Sequence, residues 1–301
     1  MKSSTLRMGD DKPAPFGDIL RFLRTRAIRL AEFALDKTGT SYLFEPSDIK
    51  VECVRLKLKR LAPAFSGIRI AQVSDIHMGG WMNAERLQRV ADLVVEQAPN
   101  LALFTGDYLP GHVFNEQVEQ SVRELIAILT PLAASIPTFG ILGNHDYWTN
   151  HRAVHNMLRE CGIIELTNSV YTISRNGANL HICGVDDVWE GDVRLQDILD
   201  QLPDGGAAIL LAHEPDFADE SAATSRFDLQ VSGHSHGGQV SLPFFGPPIL
   251  PYLGRKYPSG LYKVGEMYQY TNRGVGTGRL AVRFNCPPEI TIFELIAGGD
   301  G

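Results

Sequence analysis

The chain has 301 residues, with 44% hydrophobic and 21% charged side chains, a usage that excludes disordered, collagen-like and coiled-coil classes. No run approaches the roughly 18 consecutive apolar residues of a spanning helix. The net charge of −7 is unevenly spread: residues 1–69 hold 14 Lys and Arg against 8 Asp and Glu, and residues 70–301 hold 14 against 27. An acidic body is a poor partner for nucleic acid, which binds through phosphate neutralisation by Lys and Arg, and a natural holder of cations.

Residues 1–15 are polar, and no short apolar run followed by small residues marks a cleavable signal. From Phe16 to Leu35 a helical pattern places Ile19, Phe22, Leu23, Leu30 and Phe33 on one face and Arg21, Arg24 and Arg29 on the other, until Thr38-Gly39-Thr40 stops it. Such a basic amphipathic helix fits an anionic membrane surface, and it fits equally a helix docked on its own body. The expected division is an arm over 1–45 and one large domain over 46–301.

In that domain Leu56-Lys57-Leu58-Lys59 alternates like an edge strand. Apolar strands are expected at Ile68–Val73, Leu101–Thr105, Thr138–Leu142, Leu180–Val185, Ala207–Ala212 and Leu229–Ser232, and helices near 83–98, 115–130, 151–160 and 193–201. The tail from about 238 reads as short strands among Gly, Pro and aromatic residues, ending at Ile290–Leu295. The order argues for an α/β fold, more parallel at first and more antiparallel later. Four cysteines (Cys53, Cys161, Cys183, Cys286) without a CxxC spacing read as small buried hydrophobes in a reducing compartment.

Several of these strands run into polar turns rich in metal-ligand side chains. Ser74-Asp75-Ile76-His77 follows the first, Gly106-Asp107 the second, Gly143-Asn144-His145-Asp146 the third, His213-Glu214 another, and Gly233-His234-Ser235-His236 the last. Open α/β sheets gather their sites at the carboxyl ends of strands. Imidazole, carboxylate and amide oxygen without thiolate suit borderline divalent metals such as Mn, Fe or Zn rather than Ca or Mg.

Taken in order, these five motifs resemble those of the calcineurin-like metallophosphoesterases, over about residues 65–301. The resemblance implies a four-layer α/β/β/α sandwich with mixed sheets. It implies a first metal held by Asp75, His77 and His236, a second by Asn144, His213 and His234, and Asp107 between them, with manganese favoured over iron or zinc. His145 would face the phosphate as a general acid, oriented by Asp146, while a water held between the metals attacks phosphorus. Stretches such as Gly254–Tyr262, Asn272–Gly276 and Pro288–Thr291 are similar to a bacterial branch, often membrane-associated, that includes hydrolases of UDP-2,3-diacylglucosamine. The expected function is therefore a phosphodiesterase or pyrophosphatase, cytoplasmic or peripheral on the inner membrane, acting on a phosphoester that could be a lipid nucleotide. A soluble phosphodiesterase or nucleotidase with a small substrate, and a non-catalytic scaffold, are the alternatives.

Outside the motifs, Arg273 in the glycine-dense 272–278 stretch and His112 after Gly111 are candidate substrate contacts. His151 and His155 share a helix face without a third ligand, and His181 sits in a strand pattern. Asp186-Asp187 reads as a turn. Leu242–Tyr262 combines Phe244, Phe245, Ile249, Leu250 and Tyr252 with five prolines. It could receive an acyl chain, dip into a membrane, or pack as an irregular core loop.

Overall fold

The computed structural model describes residues 48–111, 114–278 and 281–298. The amphipathic arm and His112 therefore lie outside the described residues.

Twelve strands among them form two six-stranded sheets. The first contains β1 (Lys50–Leu58), β2 (Ile68–Val73), β3 (Leu101–Thr105), β4 (Thr138–Ile141), β5 (Ile164–Glu165) and β12 (Glu289–Ala297), in the order β1-β12-β2-β3-β4-β5. The second contains β6 (Ser169–Arg175), β7 (Ala178–Gly184), β8 (Ala207–Leu211), β9 (Leu229–Ser232), β10 (Gly260–Val264) and β11 (Met267–Thr271), in the order β10-β11-β9-β8-β7-β6. Ile70, Leu103, Phe139 and Phe293 of the first sheet pack against Leu180, Ile209, Leu229 and Tyr270 of the second, so the sheets face each other across one core.

The outer faces are covered by helices. On the first sheet lie α1 (Ala84–Glu96), α2 (Glu116–Ser135) and α4 (His151–Cys161), which bury Leu87, Val90, Leu125, Leu129, Val154 and Leu158. On the second, α5 (Leu195–Gln201) and α6 (Ala218–Ala223) bury Ile198 and Ala218. The result is the expected α/β/β/α layering. Side-chain caps start the longer helices: Asn83 accepts from the Arg86 N–H and Asn115 from the Val118 N–H.

Four sequence expectations need correction. Helix α2 runs through Pro131 to Ser135 because Leu132 is buried in the core, outweighing the one backbone bond that proline forfeits. The hairpin β6–β7 was not expected at its first strand, although Asn176-Gly177, both at positive φ, is the kind of two-residue turn that closes hairpins. The later strands are not mainly antiparallel. β7, β8, β9 and β11 run parallel, with antiparallel pairs only at the two edges of that sheet. Cys53 is exposed on edge strand β1, whereas the other three cysteines are buried. Among the described residues, no helix is long and apolar enough to cross a membrane.

Candidate metal centre

The carboxyl ends of β2, β3, β4, β8 and β9 carry the polar turns, and parallel pairing of β2, β3 and β4 puts three of them side by side. The two sheets then bring in the rest. Asp75, His77 and His236 offer donor atoms within 4.8 Å of one another, as do Asp75, Asp107 and His213, and as do His77, Asp107 and His145. Asp107 belongs to two of these groups. Its Oδ2 lies 3.2 Å from His213 Nε2 and 3.5 Å from His77 Nε2, so it stands between the two halves.

Backbone carbonyls decide which ring nitrogen faces inward. His213 Nδ1 lies 2.6 Å from the Thr105 carbonyl, His77 Nδ1 3.2 Å from that of Leu109, and His234 Nε2 2.7 Å from that of Tyr252. A carbonyl only accepts, so each of these nitrogens carries the proton. In the neutral rings the opposite nitrogens are then lone pairs, unless a neighbouring carboxylate draws a second proton onto them. His213 Nε2 is buried with no hydrogen-bond partner. His234 Nδ1 faces Asn144 Oδ1 at 2.9 Å. His236 Nδ1 faces the Arg283 guanidinium, which only donates, so in the neutral ring Nε2 carries the proton; it lies 2.9 Å from His77 Nε2 and 3.3 Å from Asp75 Oδ1. So many lone pairs converging on one spot need positive charge among them, from a proton on an imidazole or from a metal cation. This donor set fits divalent metals, with the ring orientation set by outer hydrogen bonds as metal-bound imidazoles require.

Electrostatics give the same account. Burial pushes the Asp75 carboxyl up to about 7. Burial also raises Asp107, but the charges of His213 and His145 outweigh it and hold that carboxylate well below its ordinary value. His213 is driven the opposite way, since Asp107 overrides the cost of burying its charge. Burial and the neighbouring His145 push His77 down to about 3. A negative Asp107 thus calls for a positive charge at its side, which a proton on His213 or a metal cation can supply.

The backbone is strained where the candidate ligands sit. Asp75, His77, Asp107, His234 and His236 all have φ between 48° and 68°. Non-glycine residues adopt this region rarely, and such strain collects at functional sites. Gly143 must lack a side chain, because a Cβ there would collide with Asp107 and His213.

His145 lies at the edge of the group, its ring 4.6 Å from that of His77. Its Nδ1 is 2.9 Å from the Pro110 carbonyl, and its backbone N–H donates to Asp107 Oδ1. Asp146 does not orient it, contrary to expectation. The Asp146 carboxylate accepts from the backbone N–H groups of Asp107, Leu109 and Gly143. Successive residues of a helix project about 100° apart, so at the start of α3 (Asn144–Thr149) one side chain faces the site and the next faces the turns beneath it.

Arg273 is spent on Glu52 and Glu289, 2.7 and 2.6 Å away, rather than held out for a phosphate. The residue that sequence reasoning missed is Arg283. It is buried, and its guanidinium donates to the carbonyls of Arg273, Gly274, Gly276 and Cys286, fixing the 273–276 loop against the site, where Gly274 touches Asp75. One of three arginines between 273 and 283, it carried no signal that set it apart in the sequence. His155 bonds Glu165, and His181 bonds Thr172 and Gly205, so neither joins a ligand cluster. Asp187 Oδ1 accepts from the Trp189 and Glu190 N–H groups, so Asp186-Asp187 builds a turn as expected. That turn presents Trp189 to the site, its ring 6.0 Å from that of His234, 5.2 Å from Trp148 and 5.5 Å from Tyr252.

A family model described as calcineurin-like phosphoesterase matches residues 68–238. The chain is 36% identical over 85% of its length to a Bacillus subtilis protein named uncharacterized metallophosphoesterase YkuE, covering 89% of it. It is 30% identical over 92% of its length to a protein of Escherichia coli named phosphodiesterase YaeI, covering 98% of it. Among solved structures, TT1561 of Thermus thermophilus aligns at a TM-score of 0.46 and 15% identity, over 70% of this chain and 92% of that one.

Proposed function

The chain belongs to the calcineurin-like phosphoesterase family and is a metal-dependent phosphoester hydrolase; from that premise we propose that it cleaves phosphodiesters or pyrophosphates with two divalent cations, manganese favoured. Asp75, His77 and His236 would hold one cation, Asn144, His213 and His234 the other, and Asp107 would contact both. Two such cations supply charge neutralisation at the phosphoryl oxygens and activation of water near neutral pH. The observation that carries this reading is the convergence of His77 and His213 on Asp107 and of His234 on Asn144, each ring oriented by a carbonyl behind it.

The chain's own residues divide the remaining work. His145, with Nδ1 committed to the Pro110 carbonyl, keeps Nε2 as the atom that can hold a proton and pass it to the leaving oxygen. Asp146 holds the backbone of Gly143, Asp107 and Leu109, and so fixes the distance between His145 and the ligands. Burial of Asp75, Asp107 and His213 excludes bulk water from the ligand side and strengthens every charge interaction there.

For the substrate we favour an amphiphilic phosphoester such as UDP-2,3-diacylglucosamine, met at a membrane surface. The name of the Escherichia coli relative supports a phosphodiester, and the aromatic rim of Trp148, Trp189 and Tyr252 beside the candidate ligands supports an apolar part on it. The test is hydrolysis by chelator-stripped and manganese-reloaded protein. Reloading should restore cleavage of bis-p-nitrophenyl phosphate, with faster turnover of the lipid nucleotide. No cleavage of either with Mn, Fe or Zn overturns the reading, and cleavage of the generic diester alone removes the lipid nucleotide.

A further inference from the structure

Directly after His236 the chain leaves the site as a loop whose apolar side chains are turned outward. Phe244 is 104% exposed and Phe245 87%, with Leu242, Ile249 and Tyr252 exposed beside them. The tip is a tight turn: Leu242 and Gly246 exchange two backbone hydrogen bonds of 2.9 Å. Phe244 occupies the left-handed region at φ 68°, so a strained backbone displays a fully solvated ring. Nothing within the described residues offsets either cost, which is the mark of a surface meant for a partner.

The loop is also rigidly tied to the candidate metal centre. At its middle Pro247 packs against Gly238, so closely that a Cβ on the glycine would collide with it. At its end the Tyr252 carbonyl accepts from His234 Nε2 at 2.7 Å. Tyr252 also meets Trp189, so apolar surface runs from the rim of the centre to the loop tip. Pro243, Pro247, Pro248 and Pro251 stiffen the path.

We propose that the Leu242–Tyr252 loop inserts into an anionic lipid bilayer and holds the metal centre at the headgroup level. Charge favours this occupant: no Asp or Glu occurs from 229 to 265 in a body that is otherwise acidic, and Arg255 stands exposed where the loop returns. Shape favours it too. A convex tip of a few side chains is small against the roughly 800 Å² per partner of a stable protein interface, whereas a bilayer needs no complementary groove. That the inserted loop passes a lipid phosphoester to the centre rests on the phosphodiesterase reading; the insertion itself does not.

The experiment uses the full chain and vesicles of equal parts phosphatidylglycerol and phosphatidylethanolamine. The double variant Phe244→Ser, Phe245→Ser should lower co-sedimentation about thirtyfold or more, from the apolar area of two phenylalanines. Its hydrolysis of soluble bis-p-nitrophenyl phosphate should not change. The basic segment 1–45 is present in both proteins and cancels from the comparison. A Phe245→Trp variant should add emission that shifts to the blue when vesicles are present. Unchanged co-sedimentation, emission that does not shift, or a dimer in the parent that is lost in the double variant would each overturn the proposal, the last by showing a second copy as the occupant. Diester hydrolysis with unchanged co-sedimentation removes insertion and leaves the enzyme reading. Phenylalanine-dependent co-sedimentation without hydrolysis does the reverse.

Discussion

Asp146 and His145 are neighbours in the chain with opposite uses. Three buried backbone N–H groups depend on the Asp146 carboxylate. Asp146→Ala leaves them unpaired, at about 1–3 kcal/mol each for an unsatisfied buried group. Denaturant unfolding of this variant should show a loss of several kcal/mol, together with weaker metal retention as the Asp107 and Gly143 turns loosen. His145→Ala should leave stability and metal content near those of the parent while kcat falls about 10²–10⁴-fold, the usual worth of a general acid. Metal analysis beside kinetics separates the two variants, and normal turnover of His145→Ala would remove it from the proton path. Asp107→Ala should cost metal content and activity together, because its carboxylate faces both His77 and His213. Two retained metals would end its role between the ions.

Helix α4 and strand β5 are joined by a pair that titrates. His155 Nδ1 lies 2.8 Å from Glu165 Oε2. The hydrogen bond to Glu165 raises His155 above its ordinary 6.5. Burial raises Glu165, but its bonds to His155 and Thr167 prevail and leave it below 4.5. The raised histidine adds stability that is full below 6.5 and fades as pH climbs through its folded value. The lowered glutamate adds stability that is full above 4.5 and fades as pH falls through its folded value. The pair therefore contributes most between about 4.5 and 6.5. The difference in Tm between the parent and His155→Gln should be largest in that window and shrink on both sides, and a difference independent of pH would show the pair to be inert. Both side chains are partly exposed, so the effect is small.

At the scale of the molecule, the two sheets meet so that turns from each contribute candidate ligands. Buried carboxyl groups and imidazoles face one another on strained backbone. Binding to the folded form alone stabilises it by about 2.7 kcal/mol at a metal concentration a hundred times Kd. For a domain of this size that corresponds to a rise in Tm of roughly 5–10 °C. Calorimetry of chelator-treated protein with and without manganese checks this, and an unchanged Tm would mean that the cluster does not hold metal.

The sequence by itself determined the order of strands and ligand-bearing turns, because apolar runs and the polar residues that end them are local features. Asp75, His77, Asp107, Asn144, His213, His234 and His236 were legible as polar residues ending apolar runs for that reason, and only the family resemblance assigned them to metals. Only the tertiary structure decided what each side chain faces. The departure of Asp146 from His145, the pairing of Arg273 with Glu52 and Glu289, and the buried fork of Arg283 depend on partners far away in the chain. So does the return of β12 to a place between β1 and β2, which no local period encodes. The apolar loop was visible as composition, but its outward orientation follows from what the rest of the fold leaves uncovered. Burial is a property of the packed molecule, since the same apolar run fills a core or faces solvent according to what the two sheets and their helices bring against it.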